Sequence, residues 1–162
     1  MKNLLAVFIA LLIVVLSVHG GDNSALRWRS FDDGLAEAKK TNKKILVDVY
    51  TDWCGWCKRM DSQTYADREV ARYLANRYVV IKLNAESSRQ LSYKGKQYSE
   101  RELSAAFGIS GYPATLFMQP DGEAITIYPG FADAKRFLDV ASFIAEDHYL
   151  TKKFDEYVSH RK

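Results

Sequence analysis

Two short stretches limit what this chain can fold into. Ile45-Leu46-Val47-Asp48-Val49-Tyr50 is rich in β-formers and apolar on both faces except at Asp48, and Tyr78 to Leu83 is a second run of the same kind. A strand with two apolar faces must be covered on both sides, which places it inside a sheet with helices above and below. The segments between them supply those helices. Ser30 is an N-cap with Asp33 three residues on, Phe31, Leu35 and Ala38 follow at helical spacing, and Asn42 is the stop. Asp67 opens another helix with Val70 and Leu74 on one face, and Ser99 with Glu102 forms a capping box ahead of Leu103, Ala106 and Phe107. Ala114 to Met118 and Ala124 to Tyr128 read as strands joined by the turn Pro120-Asp121-Gly122, and Asp133 caps a last long helix carrying Phe137, Val140, Ala141 and Ile144. With Leu26-Arg27-Trp28 as a short first strand, the order is β-α-β-α-β-α-β-β-α. Residues 85–98 are read as a long polar connection, and Thr151 to Val158 as a further short helix. The expected class is α/β, with a central mixed β-sheet flanked by helices on both faces.

The first 20 residues are of another character. Lys2 precedes an unbroken apolar run from Leu4 to Leu16, followed by Ser17-Val18-His19-Gly20. Such a run spans about 20 Å as a helix, short of the roughly 30 Å hydrocarbon core. It is read as a secretory signal peptide cut near Gly20–Gly21, with an uncleaved N-terminal anchor as the alternative. Both place the folded part, residues 21–162, outside the cytoplasm, periplasmic or otherwise extracytoplasmic. Lys plus Arg is 23 against 20 for Asp plus Glu, a formal charge of +3 with no long block of one sign. That balance points away from nucleic acid as a partner.

The chain has two cysteines, in Trp53-Cys54-Gly55-Trp56-Cys57-Lys58, directly after the first buried strand. A purely structural disulfide would add little, since closing so short a loop gains about 2 kcal/mol against about 4.7 for a 100-residue loop. A zinc site would need two more ligands, and the remaining histidines, His148 and His160, are too far apart for the usual spacing. Covalent haem needs His directly after the second Cys, where Lys58 stands. The redox reading agrees with the position. A cysteine at a helix start meets unpaired N–H groups and the positive end of the helix dipole, and both favour the thiolate. Cys54 is then the exposed attacking sulfur, and Cys57, one turn in, resolves the mixed disulfide.

At these residues the sequence resembles the thioredoxin superfamily, over about residues 25–146. Asp48 lies six residues before Cys54, where thioredoxins carry a buried acid, and Lys82 in Val80-Ile81-Lys82-Leu83-Asn84 matches their buried lysine. Tyr112-Pro113-Ala114-Thr115 is similar to their cis-proline loop, and Gly130 to a glycine after their final hairpin. Within the superfamily the sequence most resembles the exported thioredoxin-related proteins of bacteria. Two features depart from thioredoxin itself: Gly-Trp stands between the cysteines in place of Gly-Pro, and the connection from Ala85 to Tyr98 is longer.

The resemblance implies a thioredoxin fold and a thiol–disulfide oxidoreductase, most readily a reductant of protein or small-molecule disulfides. Asp48 would serve as proton acceptor for Cys57, with Lys82 moderating it. The alternative for the two is a buried structural ion pair, compatible with the first. Pro113, with the backbone of Tyr112, would shape a groove for an extended substrate, flanked by Trp53 and Trp56, although packing alone would also account for Trp53. No metal and no dissociable cofactor is expected beyond the redox-active Cys54–Cys57 disulfide. A monomer is expected, with a membrane thiol electron donor as an inferred partner. Two rivals stay open: a disulfide oxidase or isomerase of the same fold, and a peptide-binding or chaperone-like module with an idle disulfide.

Overall fold

The computed structural model describes residues 26–159, so the signal segment, its cleavage point and His160 lie outside the described residues. In chain order the elements are α1 (Phe31–Thr41), β1 (Lys44–Tyr50), α2 (Gly55–Met60), a π-helical turn (Asp61–Tyr65), α3 (Arg68–Arg77), β2 (Tyr78–Asn84), β3 (Gln90–Tyr93), β4 (Lys96–Ser99), α4 (Glu100–Ala106), β5 (Ala114–Met118), β6 (Ala124–Pro129), α5 (Ala134–Ala145), a 3-10 turn (His148–Leu150) and α6 (Phe154–Ser159). The expected helix starts hold. Ser30, Asp67, Ser99 and Asp133 each accept a backbone N–H at their N-cap, and Ser99 with Glu102 closes the capping box. Such caps are each worth about 1 kcal/mol. Asn42 ends α1 in the left-handed region, at φ 54°.

The main sheet runs β2-β1-β5-β6, with β1 and β2 parallel and β5 antiparallel to both β1 and β6. This is the mixed sheet expected from the sequence. Alternation divides its side chains between two cores. Ile45, Val47, Val49, Val79, Ile81, Leu83, Leu116 and Met118 pack with Phe31 of α1 and Leu103 of α4. Leu46, Val80 and Phe117 pack on the other face with Met60, Val70, Leu74 and Phe137, from α2, α3 and α5. Helix α1 approaches closely enough that a Cβ at Gly34 would meet the Ile81 side chain at 2.3 Å.

Two expectations are corrected. Leu26-Arg27-Trp28 is not a strand. Only Arg29 bridges Ile81, through Arg29 N–H to Val80 O and Lys82 N–H to Arg29 O, because Ser30 turns the chain into α1 at the next residue. Residues 85–98 are also not a plain connection, for β3 and β4 pair there as an antiparallel hairpin. Its turn residues Lys94 and Gly95 both have positive φ, 50° and 76°, as a two-residue hairpin turn requires. Lysine at the first of these positions hides the turn, and only Leu91 of the hairpin joins the buried core, with Tyr93 and Tyr98 half-buried against it. The C-terminal helix begins three residues later than expected, at Phe154, and holds Phe154 and Tyr157 against Phe143.

Candidate active site

The register of the sheet builds half of the site. Asp48 on β1 stands opposite Lys82 of β2 on one side and Thr115 of β5 on the other. All three lie on the face covered by α2, α3 and α5, interrupting an otherwise apolar layer. Asp48 is 1% exposed. Lys82 Nζ donates to Asp48 Oδ2 at 2.6 Å, and the Tyr65 hydroxyl lies 3.3 Å from Oδ1. Burial pushes the Asp48 carboxyl above the usual range, against the pull of the Lys82 charge and its hydrogen bond. Burial also opposes the charge on Lys82, but Asp48 and Asp61 outweigh it and its pKa is raised. The ammonium further sits 4.8 Å over the ring of Trp28 and 5.0 Å over that of Tyr50.

Asp61 and Tyr65 were not singled out in the sequence. Both come from the π-helical turn that continues α2, and the extra residue of that turn re-aims its side chains toward the sheet. Asp61 Oδ1 accepts from Lys82 Nζ at 2.5 Å, Tyr65 reaches Asp48, and Thr64 Oγ1 donates to Ala132 O at 2.5 Å. A π-bulge leaves no reliable mark in sequence, because its residues satisfy ordinary helix preferences. Tyr65 is fully enclosed, and burial, with the Asp48 charge beside it, holds its phenol well above its ordinary pKa. It therefore stays protonated and available as a donor.

Beyond the C-terminal end of β1 the chain turns into α2. Cys54 N–H donates to Thr51 O at 3.2 Å, and Cys54 is the N-cap of α2, its Sγ accepting the Cys57 N–H at 3.0 Å. Cys54 and Cys57 are joined as a disulfide. The expected helix start is therefore present, but the expected open sulfur is not. Cys54 and Cys57 are each 3% exposed, with the Cys54 sulfur directed at Cys57 by the bond between them. Aromatic rings stand around the pair. Trp53 and Trp56 are 68% and 54% exposed. Trp53 meets Tyr112 edge to face at 6.3 Å between ring centres, and Trp56 meets Phe131 at 5.4 Å, with the Arg59 guanidinium 5.0 Å from the centre of the Trp56 ring.

The Tyr112–Pro113 peptide bond is cis, at the start of β5 where Ala114 pairs with Val49, so the loop borders the same end of β1 as the cysteines. Gly130, at φ 81°, donates its N–H to Pro113 O at 2.8 Å and ties the loop to the segment that carries Phe131. Phe131 was missed in the sequence, having no periodicity in its loop to mark it. Among the described residues no group of three His, Cys, Asp or Glu side chains is gathered for a metal ion, and His148 contacts Glu146 and the ring of Tyr157.

This arrangement has counterparts. The family described as "Thioredoxin-like domain" matches residues 31–145, well over half of the chain. The chain belongs to the thioredoxin-like family. Over 106 residues it is 32% identical to the thiol:disulfide interchange protein DsbD of Yersinia pestis, covering 64% of this chain and 16% of that protein. The match thus spans about a sixth of the length of that curated relative. A solved structure of a candidate disulphide-isomerase from Bacteroides thetaiotaomicron is 30% identical with a TM-score of 0.58, covering 74% of this chain and 92% of that one. A thioredoxin-fold protein from Helicobacter pylori shares the fold at a TM-score of 0.61 and 21% identity, covering 75% of this chain and 80% of that one. The Cys54–Cys57 disulfide is accordingly the cysteine pair of a thioredoxin-like domain.

Proposed function

We propose that this thioredoxin-like protein acts outside the cytoplasm as a reductant of partner disulfides. In the reduced enzyme the Cys54 thiolate attacks one sulfur of the partner, breaking its S–S bond, forming a mixed disulfide and releasing the first partner thiolate, which takes a proton. Cys57 gives its proton to Asp48 and attacks Cys54 Sγ, breaking the mixed disulfide and releasing the second partner sulfur as a thiolate, which takes a proton from water. Two electrons have then passed to the partner, and the Cys54–Cys57 disulfide remains. Lys82, held by Asp61 as well as by Asp48, stays charged through the step and limits how far burial raises the acceptor. Trp53, Trp56, Tyr112 and Pro113 bind the partner chain beside the pair. The cysteine pair is the whole redox equipment, without metal or dissociable cofactor, in a monomer that a membrane thiol donor returns to the dithiol state.

The observation that carries this reading is the seat of the disulfide. Cys54 caps α2, the Cys57 N–H lies on its sulfur, and a buried carboxyl stands on the sheet face that α2 covers. The apolar run from Leu4 to Leu16 supports export. Among the described residues no helix is long and apolar enough to cross a membrane.

The direction of exchange follows from the reduction potential. Equilibration with a graded series of reduced and oxidised glutathione tests it: a potential well below that of the glutathione couple supports the reductant, and one well above it supports an oxidase or isomerase. The isomerase reading draws on the relative from Bacteroides thetaiotaomicron that carries that description. Failure of the dithiol form to reduce insulin would leave the peptide-binding alternative.

A further inference from the structure

The end of β1 farther from the cysteines gathers positive charge. Lys44 opens β1 opposite Tyr78, the first residue of β2, so the last turns of α1 and α3 reach the same edge of the molecule. Lys39 and Lys40 stand in the last turn of α1, Lys43 follows its stop at Asn42, and Arg77 closes α3. Leu26 and Arg27 line one groove with Lys43 and Tyr78, which brings the start of the described chain to this edge as well. Arg27, Lys39, Lys40 and Arg77 are exposed, and none of the five cations is in an ion pair among the described residues. The carboxylates nearby are engaged by other cations: Glu37 by Arg29, Asp147 by Lys44 and Glu123 by Lys94. Asp121, in the turn after β5, and Glu146, held by Tyr73 and His148, offset only part of the charge. A basic pole remains.

The sequence adds a second observation. The apolar run ends at Leu16, ten residues before Leu26, and ten residues of extended chain reach at most about 35 Å. A segment that carries the chain to a bilayer therefore delivers this pole to the lipid surface. We propose that the pole docks on an anionic phospholipid surface, with Arg27, Lys39, Lys40, Lys43 and Arg77 facing the phosphate headgroups and the cysteine pair left open to soluble partners. The inference rests on the proposed export of the chain and is independent of the direction of disulfide exchange. Each lysine or arginine near an anionic membrane adds attraction that fades within a Debye length, about 8 Å at physiological salt. β1 has seven residues, and a strand of that length holds its ends about 20 Å apart. Charge at the pole is thus largely screened from the sulfurs.

Cosedimentation with vesicles tests the proposal, using the mature chain of residues 21–162, which contains the whole family match. The vesicles are phosphatidylglycerol and phosphatidylcholine in equal parts, or phosphatidylcholine alone. The chain is expected to bind the anionic vesicles at low salt, to leave them at high salt, and to ignore the neutral ones. The combined variant Arg27→Gln, Lys39→Gln, Lys40→Gln and Arg77→Gln is expected to bind about a hundredfold more weakly, with insulin reduction unchanged. The combined variant Lys58→Gln, Arg59→Gln, Arg68→Gln and Lys135→Gln removes the same charge elsewhere and is expected to lose far less. Should the first variant fail to fold, Lys39→Gln with Lys40→Gln is expected to cost about tenfold. Equal losses in the two fourfold variants would mean attraction by net charge alone and would overturn the proposal. Binding to neutral vesicles as tight as to anionic ones, or binding to neither, would overturn it too. Fractionation that places the chain in the cytoplasm would overturn the export reading beneath it, whatever the vesicles show.

Discussion

Lys82 Nζ lies 2.6 Å from Asp48 Oδ2, across the parallel pair of central strands, and the carboxylate it meets is almost wholly buried. The same ammonium reaches Asp61 at 2.5 Å, so loss of the Asp48 charge would not leave Lys82 without a partner. The pair is therefore asymmetric: Asp48 carries the desolvation cost, and Lys82 keeps a second carboxylate on the solvent side.

The asymmetry has a pH signature. Burial raises the Asp48 pKa in the folded chain above its unfolded value near 3.9. Below that unfolded value the carboxyl is protonated in both states and costs nothing. As pH rises, the unfolded chain ionises first, and folding loses stability until the folded pKa has been passed. Asp48→Asn removes this penalty, so the variant should be the more stable at neutral pH, by on the order of 1–3 kcal/mol. Its advantage should vanish toward pH 3. Urea unfolding between pH 3 and pH 8, where Lys82 stays charged, checks this; a variant less stable than wild type at pH 7 would contradict it.

Glu100 makes the opposite case. Its side chain is 2% exposed and its Oε1 is held by Arg89 Nη2 at 2.6 Å, while Oε2 is buried with no hydrogen-bond partner. Arg89→Ala strands the whole carboxylate at the junction of the hairpin and α4. A loss of about 3 kcal/mol is expected, read as a lower denaturant midpoint, and Arg89→Lys should recover part of it.

Gly34 tests the closeness of α1 to the sheet. A methyl group there would stand 2.3 Å from Ile81 Cδ1 and Cγ1, inside a packed core. Gly34→Ala should cost about 1–3 kcal/mol, although alanine is the better helix former. A stabilised variant would mean that the helix and β2 lie farther apart.

Phe131 flanks Trp56, with ring centres 5.4 Å apart. Phe131→Ala is expected to weaken partner binding by about 1 kcal/mol, seen as a higher KM for insulin with kcat little changed. Equal losses in kcat and in kcat/KM would place Phe131 in the exchange step itself.

Much of the fold was legible because it rests on local chemistry. The caps at Ser30, Asp67, Ser99 and Asp133 name their helices, and the two-sided apolar strands name the buried sheet. The cysteine pair could be read from its spacing after the first buried strand, and Asp48 from the resemblance to thioredoxins. What escaped depends on distance or on exceptions to local preference. Tyr65 reaches the acid, and Asp61 its lysine partner, from a π-helical turn. The hairpin of residues 90–99 turns on a lysine with positive φ, and the hydrogen bond from Trp53 Nε1–H to Glu86 Oε1 joins residues 33 apart in sequence. The openness expected of Cys54 failed for a chemical reason, since in the disulfide its sulfur is directed at Cys57 rather than outward.

The division of labour between the two sulfurs is tested most directly by trapping. The single-cysteine variants Cys57→Ser and Cys54→Ser are each incubated with a disulfide-bonded protein, and the adducts are mapped by mass spectrometry. A mixed disulfide that accumulates on Cys54 in Cys57→Ser, and hardly at all on Cys57 in Cys54→Ser, is the expected result. Adducts forming on Cys57 at an equal or greater rate would contradict the account, because the sulfur capping α2 would then not be the one that meets the partner.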